Sequence, residues 1–319
     1  MVPARIRTQQ KWKWVVSTRS LWPNEFATVE EPVRTVIERD RTQAETVLSI
    51  EKYLARALTP KVRATARARF QEHRDLLDQI GARYGVAPGV VVGIWGIESN
   101  FGRFSGIRPT IPALATLAWD RRRAAFFRGE LLDALEILNR GDIDLANLRG
   151  SWAGAMGQVQ FMPSSYLQWA EDFDGDGRRD IWSTPADVFA SIANYLKGHG
   201  WNAGQSWGRE VKLSPEAKRR IVNDVSLRDG TCQATREMTV PLPIERWNEL
   251  GVRLTNGRHL PQPPEGQDTQ ASLVSGTTRH FLVYANYDSL LAYNCAHSYA
   301  LTVGLLGDSL NKSQVTSHK

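Results

Sequence analysis

An apolar run that ends in a single acidic residue constrains this chain more than any other feature. From Val90 to Glu98, every residue except two glycines and Glu98 itself is large and apolar. Because ionising a carboxyl group in apolar surroundings is costly, such a residue holds its proton tightly. A carboxylic acid that stays protonated near neutral pH is suited to general acid catalysis. Capping of a helix end or pairing with an arginine is the structural alternative, and the run alone does not decide between these roles.

Apolar residues at helical spacing predict a mainly helical chain. Pro88 opens the helix that carries Glu98, as proline often does in a first helical turn. The pattern predicts the other helices at 35–58, 62–84, 113–119, 123–139, 185–198 and 286–310.

Composition divides the 319 residues into four parts. Residues 1–35 have weak periodicity, which predicts an irregular N-terminal segment, and the polar residues 311–319 predict a frayed tail. Short alternating runs separated by Pro and Gly predict a small β-rich subdomain at 205–284. The remaining 36–204 and 285–310 then form one helical body. The expected fold class is therefore mainly α with a small β subdomain (α+β).

The charge balance bears on the partners of the chain. Its 40 Lys and Arg residues outnumber 34 Asp and Glu residues, for a net charge of +6. Such a charge favours an acidic partner such as nucleic acid, anionic lipid or an anionic cell-wall glycan. The basic residues are scattered along helical stretches, and no nucleic-acid-binding motif is present. We therefore expect no nucleic-acid partner.

Two cysteines, Cys232 and Cys295, lie far apart in the sequence and lack metal-site spacing. A disulfide and a pair of buried thiols are both compatible with this pattern. No apolar run reaches the roughly 18 residues that a membrane span needs, so we expect no transmembrane segment. The basic N-terminus is not followed by the apolar stretch of an export signal.

The segment 172–187 resembles an EF-hand loop in its first half. Carboxylates stand at alternate positions and a glycine follows, an arrangement that turns oxygen ligands towards a hard cation. Position twelve is Ser183, where an EF-hand has a bidentate Glu, so a longer loop would be needed. A solvated acidic turn is the alternative, but carboxylates this close repel one another without a cation. We predict a structural Ca²⁺ or Na⁺ site whose ligands are the side chains of Asp172, Asp174, Asp176 and Asp187 and the carbonyl of Arg178.

Four ordered motifs together resemble the lytic murein transglycosylase B family, glycoside hydrolase family 103. They are the Glu98 motif at 93–102, the segment 150–166, the acidic loop followed by Ile181-Trp182 and 193–195, and Tyr293-Asn294 with Tyr299. The likeness covers roughly residues 40 to 310, and four long motifs in order rarely match by chance. The resemblance implies a lysozyme-like catalytic core.

The resemblance also implies an activity. Enzymes of this family cleave the β-1,4 bond between N-acetylmuramic acid (MurNAc) and N-acetylglucosamine (GlcNAc) in peptidoglycan, and they form a 1,6-anhydro end without water. Glu98 would be the one acidic residue required, first as acid and then as base, with no catalytic cofactor. The expected partners are peptidoglycan strands and, further, cell-wall synthesis proteins. The expected location is the periplasm or outer membrane of a Gram-negative bacterium.

Further site residues follow from the same resemblance. Ser151 and Gln160 would hydrogen-bond the substrate near Glu98. Tyrosines would offer ring faces and hydroxyls to the sugars, and the matching positions are Tyr53, Tyr195, Tyr293 and Tyr299. On a single predicted helix Tyr293 and Tyr299 are six residues apart and do not share one face closely, so one of them could belong to the core instead of the site.

Two alternatives to a transglycosylase remain open from the sequence. A muramidase-type hydrolase on the same fold needs water and usually a second carboxylate, for which Asp142 and Asp144 are the nearest downstream candidates. A non-catalytic peptidoglycan-binding protein would keep the groove alone. The presence of Glu98, Ser151 and Gln160 argues against it, since a binding protein has no need of a buried acid.

Overall fold

The computed structural model describes residues 32–41, 48–266 and 269–311, which form two units. The predicted irregular segment lies outside the described residues up to position 31, and the predicted tail from position 312. The first unit comprises 32–41, Gly106–Met156 and Met162–Ser164, and the second comprises 48–105, Gly157–Phe161, 165–266 and 269–311. This division differs from the predicted boundaries, because residues 106–156 separate from the helical body and the sheet region does not.

The first unit is built around a pair of helices, α6 (Thr110–Trp119) and α7 (Ala124–Arg140). The short helix α1 (Arg34–Arg41) packs on α6, where the amide of Val33 donates to the Thr116 hydroxyl at 3.0 Å. Strands β1 (Arg108–Pro109) and β2 (Arg149–Gly150) form a two-stranded antiparallel ribbon. Gly141 ends α7 in the left-handed conformation that glycine adopts readily.

The second unit holds the remaining helices. In chain order they are α2 (Ile50–Ala57), α3 (Pro60–Glu72), α4 (Arg74–Tyr84), α5 (Pro88–Ser99), α8 (Pro163–Trp169), α9 (Pro185–Gly198), α10 (Pro215–Asp224), α11 (Gln233–Arg236), α12 (Ile244–Glu249), α13 (Ala285–Tyr293) and α14 (His297–Asn311). The first two residues of α8, Pro163 and Ser164, are grouped with the first unit. Thr59 and Ser214 cap α3 and α10 by accepting a backbone amide, and proline follows at the first helical position in both.

An antiparallel sheet lies between Gly208 and Val283 in the second unit. Its strand order is β4 (Leu242–Pro243), β6 (Gln270–Ser275), β7 (His280–Val283), β3 (Gly208–Lys212) and β5 (Arg253–Leu254). Its core contains Trp247, Val252, Leu273 and Leu282, all less than 5% exposed. Helices thus dominate and one small sheet is added, which confirms the predicted fold class.

Helix α5 is held in place by close packing against α14. A Cβ atom added at Gly93 would lie 2.9 Å from the carbonyl oxygen of Val303, and one at Gly307 would lie 3.1 Å from the backbone of Gly89. The first distance is shorter than a real Cβ atom tolerates and the second is tighter than most Cβ contacts, so these glycines let the two helix backbones approach closely. The position of Glu98 therefore depends on the packing of small residues between α5 and α14.

Three predicted long helices are broken in the structure, so these predictions were wrong. The helix predicted at 35–58 is interrupted at 48–49, where Ser49 caps the start of α2. The helix predicted at 62–84 divides at His73 (φ −108°, ψ 20°) into α3 and α4. The His73 ring packs edge-on against Trp95 and Phe189, with centroids 5.7 and 5.3 Å apart. These tertiary contacts accompany a break that neither proline nor glycine marks in the sequence.

The helix predicted at 286–310 divides after Tyr293, where Asn294 is extended (φ −149°, ψ 118°). Cys295 lies in this break and forms a disulfide with Cys232, with Cα atoms 5.9 Å apart. The sequence had left the pairing of these cysteines open, and the structure pairs them.

In the part of the chain that the structure describes, no single helix has both the length and the apolar composition of a membrane span. Only α4 and α5, taken together and bent by 111°, satisfy that test.

Candidate active site

Glu98 lies in the last turn of α5 and is partly exposed, while most of the helix is buried. Burial raises the pKa of its carboxyl from the usual 4.5 to about 7, and the nearby Tyr299 hydroxyl opposes that shift to a smaller extent. A neighbouring carboxylate is not among the causes found in the described residues. Glu98 therefore keeps a substantial protonated fraction at neutral pH.

The chain turns sharply after Glu98. Three consecutive residues, Asn100, Phe101 and Gly102, have positive φ angles of 52°, 59° and 78°. The Ser99 hydroxyl donates to the Trp95 carbonyl at 2.6 Å and accepts the Gly102 amide at 2.9 Å, so it holds both sides of the turn. Left-handed backbone at a buried phenylalanine is strained, and such strain persists where the surroundings determine it. The backbone conformation at the end of the Glu98 helix is therefore fixed by these hydrogen bonds and by the packing around Phe101.

Three tyrosines come within electrostatic reach of the Glu98 carboxyl. Burial, followed by the charge of Glu98, raises the pKa of Tyr53 and holds the pKa values of Tyr293 and Tyr299 well above their usual range. The Tyr299 hydroxyl is buried and makes no hydrogen bond of normal geometry with a described residue. It is nevertheless close enough to Glu98 for each group to shift the pKa of the other. The structure thus brings these tyrosines together at the carboxyl.

Tyr195 belongs to an aromatic cluster that we define by the rings of Phe161, Tyr195, His199 and Tyr293. Tyr195 stacks on His199 with centroids 4.0 Å apart, and its ring lies 4.8 Å from that of Tyr293. Burial raises its pKa, and its hydroxyl donates to the carbonyl of Ala292 at 2.8 Å. Tyr195 therefore supports the helix that carries Tyr293.

The predicted separation of Tyr293 and Tyr299 on one helix was wrong. Their rings stack with centroids 6.3 Å apart and planes within 17°, because the chain breaks between α13 and α14. The Tyr293 hydroxyl donates to the carbonyl of Val159 at 2.7 Å, so this ring also holds the segment Gly157–Phe161.

Gln160 lies in that same segment with a positive φ of 53°. Its amide nitrogen donates to the carbonyl of Gly157 at 2.9 Å, which leaves the side-chain oxygen without a hydrogen bond among those found in the described residues. A non-glycine residue in this conformation is uncommon and persists where the surrounding structure determines it.

Ser151 lies in the first unit, and the structure gives it a local role. Its hydroxyl oxygen accepts the amides of Ala153 and Ala155 at 3.2 and 3.1 Å. This is the side-chain turn that serine often forms with the backbone just ahead of it. Its predicted contact with substrate stays a prediction.

The acidic loop brings Asp172, Asp174 and Asp187 together, each offering an oxygen within 4.8 Å of the others. Asp187 lies beyond Ser183, the twelfth position of a standard EF-hand loop, yet it belongs to this cluster. Its side chain is buried, with 1% of the residue exposed. Burial raises its pKa to about 6, and the charges of Asp174 and Asp172 add to the effect. A buried carboxylate beside two others is a set of hard oxygen donors, which fits a hard cation.

The remaining predicted ligands are placed differently. The structure does not bring Asp176 into the cluster, and one of its carboxylate oxygens accepts the amide of Arg178 at 2.8 Å. The contribution of the Arg178 carbonyl stays a prediction. Asp180, which the sequence did not single out, shapes the loop by accepting the amides of Trp182 and Ser183, each at 2.9 Å.

Gln158 is a buried residue that sequence reasoning missed. Its side-chain oxygen accepts the indole N–H of Trp95 at 2.6 Å, and its amide nitrogen donates to the carbonyl of Trp182 at 2.7 Å. The available signal was the occurrence of a polar residue between Gly157 and Val159 in a small-residue segment, which by itself does not reveal the partners.

A glutamic acid whose pKa is raised by burial is the general-acid arrangement of lysozyme-like glycan-cleaving enzymes, and Glu98 has that arrangement in this mainly helical fold. Comparison with known proteins gives the family. Residues 17–308 match the transglycosylase SLT domain model. The membrane-bound lytic murein transglycosylase B of Escherichia coli strain K12 is 33% identical over 270 residues, which cover 83% of this chain and 68% of that protein.

Two solved structures extend this similarity. SltB3 from Pseudomonas aeruginosa, in complex with NAG-anhNAM-pentapeptide, is 40% identical with a TM-score of 0.81, over 95% of this chain and 79% of that one. The Escherichia coli lytic transglycosylase Slt35 in complex with calcium is 30% identical with a TM-score of 0.76, over 97% and 93%. The chain belongs to this family of lytic transglycosylases.

Proposed function

We propose that this lytic transglycosylase cleaves the MurNAc-β-1,4-GlcNAc bond of peptidoglycan with Glu98 as its only catalytic acid and base. Glu98 donates its proton to the glycosidic oxygen as the bond from that oxygen to the anomeric carbon breaks. The C6 hydroxyl of the same muramyl residue then attacks the anomeric carbon and passes its proton to the Glu98 carboxylate. A 1,6-anhydro end forms, no water is consumed and Glu98 recovers its proton.

The raised pKa of Glu98 is the observation that carries this proposal. A carboxyl with a pKa of about 7 holds a proton for the first step and is basic enough to take one back in the second. Most glycosidases divide these tasks between two carboxylates. The upward shift at Glu98 comes from burial and is partly offset by the Tyr299 hydroxyl, and no second carboxylate of the described residues contributes to it, which supports a scheme with one carboxylate.

The side chains near Glu98 support a role in holding the sugar. We assign Tyr53, Tyr293 and Tyr299 to contacts with the muramyl residue, because the charge of Glu98 contributes to the raised pKa of all three and they therefore lie near its carboxyl. Tyr195 and Gln160 extend the set through the aromatic cluster and the segment Gly157–Phe161. Ser151 is included on the resemblance of its motif alone.

We further propose that the acidic loop holds a structural Ca²⁺. Asp172, Asp174 and Asp187 would supply carboxylate oxygens, and Asp176 and the Arg178 carbonyl would complete the set once a cation draws them in. The clustered, partly buried carboxylates and the calcium complex of Escherichia coli Slt35 support this proposal. The ion would neutralise the carboxylates and take no part in bond cleavage.

The place of action follows from the substrate. A chain that cleaves peptidoglycan acts where that polymer is, so we propose the periplasm or the outer membrane of a Gram-negative bacterium. The relatives named above are murein transglycosylases of Gram-negative bacteria, and this supports the location.

Mass spectrometry of the soluble products from purified peptidoglycan tests the reaction. The proposal predicts muropeptides that are one water lighter than hydrolysis products, because each carries a 1,6-anhydro end. Products with free reducing ends would assign the chain to the hydrolases and would require a second carboxylate.

A further inference from the structure

A buried hydrogen-bonded bridge connects the Glu98 helix to the acidic loop. The indole N–H of Trp95 donates to the side-chain oxygen of Gln158 at 2.6 Å, and the Gln158 amide nitrogen donates to the carbonyl of Trp182 at 2.7 Å. The backbone amide of Gln158 also donates to the carbonyl of Ile181 at 2.8 Å. Gln158 is 7% exposed and Trp95 is 4% exposed, so these bonds are shielded from water.

Trp95 is well placed to transmit a displacement to Glu98. It precedes Glu98 by three residues on α5, so the two side chains lie on neighbouring positions of the same helix surface. Its ring packs edge-on against Phe101 and Phe189, with centroids 6.0 and 4.9 Å apart. The Trp95 carbonyl accepts the Ser99 hydroxyl that shapes the turn after Glu98. Trp95 therefore contacts the bridge through its indole and the turn after Glu98 through its backbone carbonyl.

The other end of the bridge is equally fixed. Trp182 follows Asp180, whose carboxylate accepts the Trp182 amide at 2.9 Å. The Asp180 amide in turn donates to Asp187 at 2.8 Å. A continuous chain of hydrogen bonds thus runs from the acidic loop to α5. Within this chain, the side chain of Gln158 bonds to Trp182 in the loop and to Trp95 in α5.

We propose that Gln158 is a positioning residue for the reaction, which fixes the Trp95 indole and through it the orientation of the Glu98 carboxyl. It does not touch the substrate. The inference rests on the proposed role of Glu98. The physical reason is that a buried amide with both ends bonded allows one arrangement of its partners, whereas loss of the amide leaves a buried donor and a buried acceptor unpaired.

Gln158→Met tests the proposal, because methionine has a similar volume and lacks the amide. Trp95→Phe removes the indole N–H from the opposite side of the bridge and serves as a second variant. The matched control is Trp247→Phe, since the buried Trp247 indole donates to the carbonyl of Ala271 at 2.8 Å in the core of the sheet. Circular dichroism and thermal unfolding establish that each variant is folded.

Turnover of soluble, uncross-linked glycan strands is then measured across pH. Gln158→Met and Trp95→Phe should each lower kcat about tenfold or more while KM changes by less than about twofold, since a misplaced catalytic group costs rate rather than binding. Their alkaline pH limb should move to lower pH as Glu98 becomes better solvated. The double variant should lose no more than the more impaired single variant, because both changes break one bridge.

Three outcomes would overturn the proposal. They are losses no larger than that of Trp247→Phe, an unmoved pH limb, and single-variant losses that multiply in the double variant. Glu98→Gln, assayed alongside, distinguishes failure of the positioning role from failure of the proposed function. If Glu98→Gln is inactive while Gln158→Met and Trp95→Phe resemble the control, only the positioning role of Gln158 fails. If Glu98→Gln remains active, the proposed function itself fails.

Discussion

The rings of Tyr293 and Tyr299 stack with centroids 6.3 Å apart, although the two residues belong to different helices. The charge of Glu98 contributes to the raised pKa of both tyrosines, so their arrangement forms part of the surroundings of the Glu98 carboxyl. The chain break that allows the stacking contains Cys295, which is cross-linked to Cys232. The disulfide therefore joins the tyrosine pair to a distant part of the same unit.

Removal of this disulfide should destabilise the protein. The two cysteines are 63 residues apart, and cross-linking a loop of this length restricts the unfolded chain substantially. The variant with both Cys232→Ser and Cys295→Ser should lose about 2–4 kcal/mol in free energy of unfolding. Urea denaturation of the variant and of the oxidised parent measures the difference. Equal unfolding midpoints with equal m-values would show that the cross-link carries no stability.

The Tyr293 hydroxyl should contribute more to stability than the Tyr195 hydroxyl. Tyr293→Phe leaves the carbonyl of Val159 without its donor in a partly buried position, at a cost of about 1–2 kcal/mol. Tyr195→Phe removes a similar bond to the carbonyl of Ala292, but in an exposed position where water replaces it, so the loss should be below about 1 kcal/mol. Thermal unfolding of both variants checks the order, and the reverse order would contradict the described geometry.

The raised pKa of Glu98 makes stability depend on pH in a defined direction. Between pH 4.5 and about 7 the folded state binds more protons at Glu98 than the unfolded state. The contribution of this group is therefore complete below pH 4.5 and is lost as pH rises through 7, by about 3 kcal/mol.

Glu98→Gln should remove this dependence. The variant should unfold at a higher temperature than the parent at pH 8, and the gain should shrink as pH falls towards 4.5, where the parent carboxyl is neutral. Thermal unfolding at several pH values provides the test. A difference between the two proteins that is constant over this range would mean that Glu98 is ionised as easily in the folded state as in water.

The sequence predicted the elements whose signals are local. Pro88 marks the start of the Glu98 helix, and Gly141 follows the end of α7, as the structure shows. The breaks at His73 and Asn294 were missed because neither proline nor glycine stands there. Each break coincides with a contact to a distant residue: the rings of Trp95 and Phe189 at the first, and the disulfide at the second.

The same distinction applies to the site. The apolar run before Glu98 predicted a carboxyl that keeps its proton, and burial raises its pKa as expected. The sequence did not predict the stacking of Tyr293 on Tyr299, because one continuous helix would hold these two side chains on different faces. The bridge through Gln158 was also missed, since its partners Trp95 and Trp182 lie 63 and 24 residues away in the sequence.

Calcium should stabilise the protein through the acidic loop. Binding to the folded state alone adds about 2.7 kcal/mol when the free ion is at a hundred times its Kd, so the unfolding temperature should rise in Ca²⁺ relative to EDTA. Asp172→Asn and Asp187→Asn should abolish the rise, because each removes a carboxylate from the cluster. Asp229→Asn, an exposed position outside the loop, is the matched control and should retain it. An equal rise in all four proteins would place any bound Ca²⁺ elsewhere.

Glu98 alone should carry out both proton transfers, and mass spectrometry of the products that the parent and Glu98→Gln release from purified peptidoglycan checks this. We expect 1,6-anhydro muropeptides from the parent and none from Glu98→Gln, which should still fold and bind the polymer. Anhydro products from Glu98→Gln at a rate near that of the parent would mean that another residue performs the chemistry.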